Sequence, residues 1–241
     1  MGPEDQGLET IARNLAEVRR RIAAAAARAG RDPAAVGLVA VTKDVPLDAV
    51  AAAVASGVTD IGENRYQEAR SKIAALAGRP VRWHFIGHLQ RNKVKYVVEC
   101  FNIIHSLDSL ELAVEIDRRA QATSGAGRVP VLVEVNVGGE ATKFGVAPEG
   151  AVELVLRAAA LPGLDVQGLM TIAPQAGDPE AARLHFRRLR LLAAAVPGAG
   201  GPVLRHLSMG MSDDFEVAVE EGATLVRVGR AVFGAREGLG R

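Results

Sequence analysis

A chain of 241 residues, 49% hydrophobic and 24% charged, has the length and composition of one α/β barrel. Its 29 basic and 28 acidic residues leave a formal net charge of +1, so it offers no electrostatic footprint for nucleic acid or an anionic membrane. The single cysteine, Cys100, excludes an internal disulfide and a multi-cysteine zinc site; behind Val97 and Val98 it reads as a packed thiol in a reducing compartment.

Residues 1–33 read as a covering helix. Leu8, Ile11, Leu15, Val18 and Ile22 recur every three or four positions, one apolar helical face, and Gly30 and Pro33 stop it. Arg13, Arg19, Arg20 and Arg21 interrupt any apolar run, and the alanine stretch from Ala23 to Ala27 is too short for a bilayer. Gln6 stands where myristoylation after Gly2 needs Ser or Thr. No targeting or membrane segment is expected, and the chain is expected in the cytoplasm.

Eight strand-like runs follow, at 37–42, 60–62, 82–86, 102–105, 130–137, 165–171, 205–208 and 224–228. The second is weak, since only Ile61 in it is a strong strand former. Alanine-rich helical stretches lie between them, among them 47–55, 64–76, 110–122, 150–160, 179–195 and 213–220. This alternation implies parallel strands with right-handed crossovers and, at eight units, a closed (β/α)8 TIM-like barrel filling 1–241 as one domain. The glycine-rich stretch 197–202 reads as a loop, because two more strands are needed to close the barrel, and 124–127 as a surface turn.

In such a barrel the site lies at the carboxyl ends of the strands, so residues leaving the runs share one mouth. Strand alternation puts Lys43 on the face of Val39 and Val41, at the rim of the interior. Between Val41 and Val45 it is partly desolvated, which lowers its pKa and frees an amine to attack an aldehyde; a salt bridge is the plainer alternative. The second run delivers Asn64, as a ligand contact or a helix N-cap. His84 shares a face with Ile86 and reads either as a ring stacked on a planar ligand, titrating near neutrality, or as a hydrogen-bonded core residue. Glu134 and Asn136 face inward from the fifth run, and Arg227 with Gly229 from the eighth; such buried polar groups are costly unless they bind something.

The segment from Leu207 to Asp214 ends the seventh run and opens a helix. Its small residues leave backbone N–H groups exposed to an anion, and Gly229-Arg230 supplies a second half, as in barrels that hold phosphate after strands seven and eight. Ser212 or Asp213 reads as the helix cap. Asp213 and Asp214 repel an anion from that helix start, which leaves it nearer Ser208 and the Gly229-Arg230 backbone. No His/Asp/Glu set has metal-ligand spacing, and no Gly-x-Ser-x-Gly or Walker-type loop is present.

These residues carry a resemblance. Val39-Ala40-Val41-Thr42-Lys43, Gly62-Glu63-Asn64-x-x-Gln67-Glu68, Trp83-His84-Phe85-Ile86-Gly87-x-Leu89-Gln90-x-Asn92-Lys93, Val135-Asn136-x-x-x-Glu140-x-x-Lys143-x-Gly145, Leu207-Ser208-Met209-Gly210-Met211-Ser212-x-Asp214 and Val226-Arg227-x-Gly229-x-x-x-Phe233-Gly234 occur in consistent order from about residue 8 to Arg236. In them the chain resembles the pyridoxal phosphate homeostasis proteins, whose fold is similar to the barrel domain of alanine racemase. The resemblance implies pyridoxal 5′-phosphate (PLP) as cofactor, with Lys43 as its Schiff-base lysine. It implies Asn64 and His84 at the cofactor's border, His84 near the ring plane, Arg227 facing the pyridine nitrogen, and Ser208, Gly229 and Arg230 on the phosphate. Many relatives have threonine in place of Arg230, so a hydroxyl contact is missing here while the backbone N–H remains.

PLP needs an amine, an anion site and a partner for its ring nitrogen. Arginine cannot accept that nitrogen's proton, so it favours an unprotonated pyridine and a weaker electron sink. Two functions follow: a non-catalytic binder that stores, buffers or delivers PLP, and a PLP-dependent amino-acid racemase. Racemisation needs acid or base groups on both faces of the α-carbon. In alanine racemase a second, β-rich domain supplies a tyrosine, whereas here 13 residues follow the eighth run and the only tyrosines, Tyr66 and Tyr96, lie in helices after runs two and three. The binder is therefore expected, with no catalytic residue and no metal, and the resemblance implies a monomer. Its expected partners are PLP and PLP-dependent apo-enzymes as recipients.

Overall fold

The computed structural model describes residues 3–122, 127–140, 142–175 and 177–234, with side chains from residue 9 onward. The readings placed on Gly2, on the Leu8 side chain, on 124–126 and on residues past 234 lie outside them. Eight parallel strands close into a barrel in chain order, and β8 pairs with β1. They are β1 Gly37–Val41, β2 Asp60–Glu63, β3 Arg82–Phe85, β4 Ile103–Leu107, β5 Val129–Glu134, β6 Leu164–Met170, β7 His206–Ser208 and β8 Leu225–Val228. The helices are α1 Pro3–Arg28, α2 Leu47–Ala55, α3 Tyr66–Ala75, α4 Val94–Cys100, α5 Leu110–Ala122, α6 Pro148–Ala159, α7 Arg183–Ala195, α8 Phe215–Glu220 and α9 Arg230–Phe233. The (β/α)8 barrel expected from the alternation is thus present, including the weak second strand.

Alternation sorts each strand into two faces. Ile61, Phe85, Ile104, Val133, Leu169 and Val226 turn outward and form the main core with the helices. Val39, Ile103, Leu132, Met170 and Leu225 form a separate apolar cluster inside the barrel. Each such side chain, fully buried, contributes about 1.5–3 kcal/mol before conformational entropy is counted.

The N-terminal helix α1 buries Leu15, Val18 and Ile22 and packs on α2, α8 and α9. It stands in the outer ring at the β8–β1 seam, where α9 is only one turn long. Polar ties hold it there: Arg21 to Glu216 and Arg28 to Glu220, both at 2.7 Å, and Asn14 Nδ2 donating to Val232 O at 3.0 Å. Gly30, at φ +64°, ends it in a left-handed turn whose Arg31 N–H returns to Ala26 O at 2.9 Å. Cys100 is partly buried, and burial pushes its thiol pKa up, as expected of a packed thiol.

Boundaries moved where turns took over. The fifth strand stops at Glu134 rather than 137, because Val135 bridges to Val146 in the returning loop. The stretch 179–195 begins as a 3-10 turn, Pro179–Ala182, whose N-cap Asp178 accepts from Glu180 N–H. The fourth strand continues to Leu107 through a register shift after Ile104. Among the described residues no helix is long and apolar enough to cross a membrane.

Candidate functional site

Lys43 leaves β1 in a tight turn in which Val45 N–H donates to Thr42 O at 3.0 Å and Asp44 adopts φ +60°. The turn is fixed from outside the barrel. Thr42 Oγ1 donates to Glu63 Oε1 at 2.6 Å, while Lys72 Nζ donates to Glu63 Oε1 at 2.7 Å and to Thr42 O at 2.6 Å. Glu63, the last residue of β2, faces α3 and is fully buried in this ion pair. Lys43 itself is half-buried, next to the β8 terminus: a Cβ on Gly229 would lie 3.3 Å from Val41 O.

On the β8 side, the Ala231 N–H at the start of α9 donates to Ser212 Oγ at 3.3 Å. A hydroxyl and the first backbone N–H groups of a short helix are thereby gathered beside Gly229. The helix cap expected at Ser212 or Asp213 falls elsewhere: α8 has Asp214 as N-cap without a side-chain bond, and Asp214 Oδ1 accepts from Met211 N–H at 2.6 Å. The Arg230 side chain is exposed and ion-paired with Asp213, which neutralises one of the two carboxylates that would repel an anion here.

Beneath the mouth lies a buried polar chain. Arg227, 4% exposed, donates from Nη1 to Ser208 Oγ at 2.7 Å and from Nη2 to Thr171 O at 2.9 Å. Ser208 Oγ is 2.9 Å from His105 Nδ1, His105 Nε2 is 2.9 Å from His84 Nδ1, and His84 Nε2 is 2.8 Å from Asp60 Oδ1. Ser208 and His84 are two of the residues that the resemblance places at the cofactor. Both side chains are committed inside the barrel, and the hydroxyl beside Gly229 is that of Ser212. His84 is the hydrogen-bonded core histidine, 2% exposed, rather than a face offered at the rim.

Burial pushes the Arg227 pKa down to about 10, against the pull of Glu134 and Asp214. Glu134, inward at the end of β5, is raised to about 7 by burial and by Asp108, with Arg227 acting in the opposite direction. Asn136 serves the backbone: its Nδ2 donates to Glu140 O at 2.9 Å and Lys143 O at 3.3 Å, shaping the loop after β5. That loop reaches across the mouth, where Phe144 stacks on His88 at 3.7 Å between centroids and His88 Nδ1 lies 3.3 Å from Asp108 Oδ2.

Asn64 is half-buried at the end of β2 and is not the N-cap of α3, a position held by Arg65. It lines a cleft of about 380 Å³ with Gly87, His88 and Lys93. Gly87 must be glycine there, since a Cβ would fall 2.3 Å from Asn64 O. Tyr66 and Tyr96 stack on each other at 5.0 Å. Among the described residues no group of His, Cys, Asp and Glu could hold a metal ion.

Of the expected set, Lys43, Asn64, Gly229 and the Arg230 backbone gather at the strand ends, with Arg227 directly below. Sequence reading missed Ser212 as a site hydroxyl and missed Asp60 and His105 altogether. Strand parity alone could have turned Asp60 and His105 inward, but no spacing signal links them.

The family model described as alanine racemase, N-terminal domain, matches residues 9–237. A relative from Pseudomonas aeruginosa is 46% identical over 230 residues, covering 95% of this chain and 97% of its own. One from Aquifex aeolicus is 47% identical, covering 92% and 97%. Both are named pyridoxal phosphate homeostasis protein. PipY of Synechococcus elongatus, solved with PLP bound, superposes with a TM-score of 0.79 at 36% identity, covering 93% of this chain and all of that one.

Proposed function

This chain belongs to the pyridoxal phosphate homeostasis proteins of the alanine racemase N-terminal domain family, and on that footing we propose that it binds PLP at the barrel mouth for storage, buffering or delivery. The observation that carries this reading is one juxtaposition. An amine at the end of β1, an anion cradle at the end of β8 and a buried guanidinium between them match the three groups of the cofactor.

The donor set fits that chemistry. Lys43 offers the amine, and the turn braced by Thr42, Glu63 and Lys72 fixes where it stands. Ser212 Oγ and the Gly229–Ala231 backbone take the phosphate; the side chain of Arg230, held by Asp213, stays outside. Arg227, in β8, would face the ring nitrogen and could not accept its proton, which would favour an unprotonated ring. Asn64 borders the ring from the β2 side. Bound PLP would supply an aldehyde that is reactive toward amines.

The curated relatives are named for homeostasis and not for a catalysed reaction. Carriage rather than catalysis also accords with Tyr66 and Tyr96, which are occupied with each other and supply no acid above the ring. Release to PLP-dependent apo-enzymes, by a monomer in the cytoplasm, completes the proposal. Titration of the apo-protein with PLP tests it, with wild type developing a visible band that Lys43→Ala lacks while its cooperative unfolding is retained. A wild-type protein that takes up no PLP refutes the function. Racemisation of an amino acid by the loaded protein would replace carriage with catalysis.

A further inference from the structure

Arg227 can only donate, so Ser208 Oγ must accept from Nη1. Of the two partners of that hydroxyl, only His105 Nδ1 can take its proton. His105 is neutral, because burial pushes its pKa well below the usual histidine value and the Arg227 cation close by acts in the same direction. Its remaining proton therefore sits on Nε2 and goes to His84 Nδ1, and His84 in turn donates from Nε2 to Asp60 Oδ1. One proton order satisfies every link. In the reverse order the Ser208 proton would have neither partner as acceptor.

Asp60 is the first residue of β2 and lines a cavity of about 310 Å³ at the amino-terminal end of the barrel, with Gly37 and Arg19. Burial works against its charge, yet hydrogen bonds from His84 and Thr59, and Arg82 at 2.7 Å, hold its carboxyl below the ordinary value. Arg227 lies near the opposite end, one residue before the end of β8. The chain thus carries a cation at the mouth and an anion at the base, and its dipoles are aligned so that lone pairs face the cation.

We propose that Asp60, His84, His105 and Ser208 form a proton-ordered chain that positions the Arg227 guanidinium beneath the mouth, making Asp60 a positioning residue for a site at the far end of the barrel. The effect on the cofactor rests on Arg227 meeting the PLP ring; the proton order does not.

Two measurements separate these. Imidazole nitrogen NMR on the apo-protein should show the single ring proton of both His84 and His105 on Nε2. A proton on Nδ1 of either ring, or an imidazolium at neutral pH, overturns the chain whatever PLP does. In the loaded protein, Asp60→Leu removes the terminal acceptor; it should weaken PLP binding about tenfold and shift the pH midpoint of the visible band. Asp60→Asn keeps an acceptor oxygen and should restore both. An Asp60→Leu protein that folds, with affinity and pH midpoint unchanged, refutes the positioning role. If instead the NMR order holds and wild type takes up no PLP, the functional reading fails and with it the role toward the ring.

Discussion

At the scale of single residues, the barrel interior is where charge is most expensive and most informative. Glu134 is raised to about 7 in the folded protein, from the ordinary 4.5. The native state therefore holds a proton there that the unfolded chain has lost, so stability falls as pH rises from about 4.5 to 7, by about 3 kcal/mol in total. Glu134→Gln should remove that slope and be more stable than wild type above pH 7, read from denaturant midpoints across the pH range. An unchanged slope would mean that the carboxyl is solvated. Inward placement of Glu134 and Arg227 was legible from strand parity, and Lys43 from its place after a valine-rich run. The role of Ser208 was not. Ser208 and Ser212 are both small and polar in one segment, and only the fold puts the first against His105 and the second against Ala231. The chain Asp60–His84–His105–Ser208 links bonded partners as much as 103 positions apart, so no local pattern reports it.

At the scale of elements, two glycines separate conformational from steric need. Gly30 at the end of α1 has φ +64° and open space around it, so Gly30→Ala should cost only the left-handed backbone, about 1 kcal/mol. Gly168 in β6 has no such φ, yet a Cβ there would fall 2.0 Å from His206 O on β7. Gly168→Ala should cost about 3 kcal/mol or more by forcing β6 and β7 apart. Equal losses in thermal unfolding would contradict this division. Gly30 was readable as a helix stop. Gly168 was not, because its requirement comes from a neighbour 38 positions on. The strand runs were largely legible from β-branched residues and alternation. Their ends were less so: 135–137 continues the alternation, and only the pairing of Val135 with Val146 shows where β5 stops.

At the scale of the whole molecule, closure of the barrel brings the β1 and β8 termini together and so makes a site from residues almost 190 positions apart. Helix α1 seals that same seam, with its apolar face on the barrel and its arginines on Glu216 and Glu220. A ligand bound across the β1 and β8 ends should stabilise the entire fold by mass action, about 2.7 kcal/mol at a hundredfold excess over Kd. Thermal unfolding with rising PLP checks this; no shift in wild type would place any binding outside the cooperative unit. Strand count and order were legible because eight runs alternate with helices; what fills the interior was not, since parity gives direction without partners.

The most direct test of the central claim is the visible spectrum of the PLP-loaded protein followed by borohydride reduction and peptide mass mapping. The account predicts a yellow protein whose reduced adduct lies on Lys43 alone. A colourless protein, or an adduct on any other lysine, would contradict it.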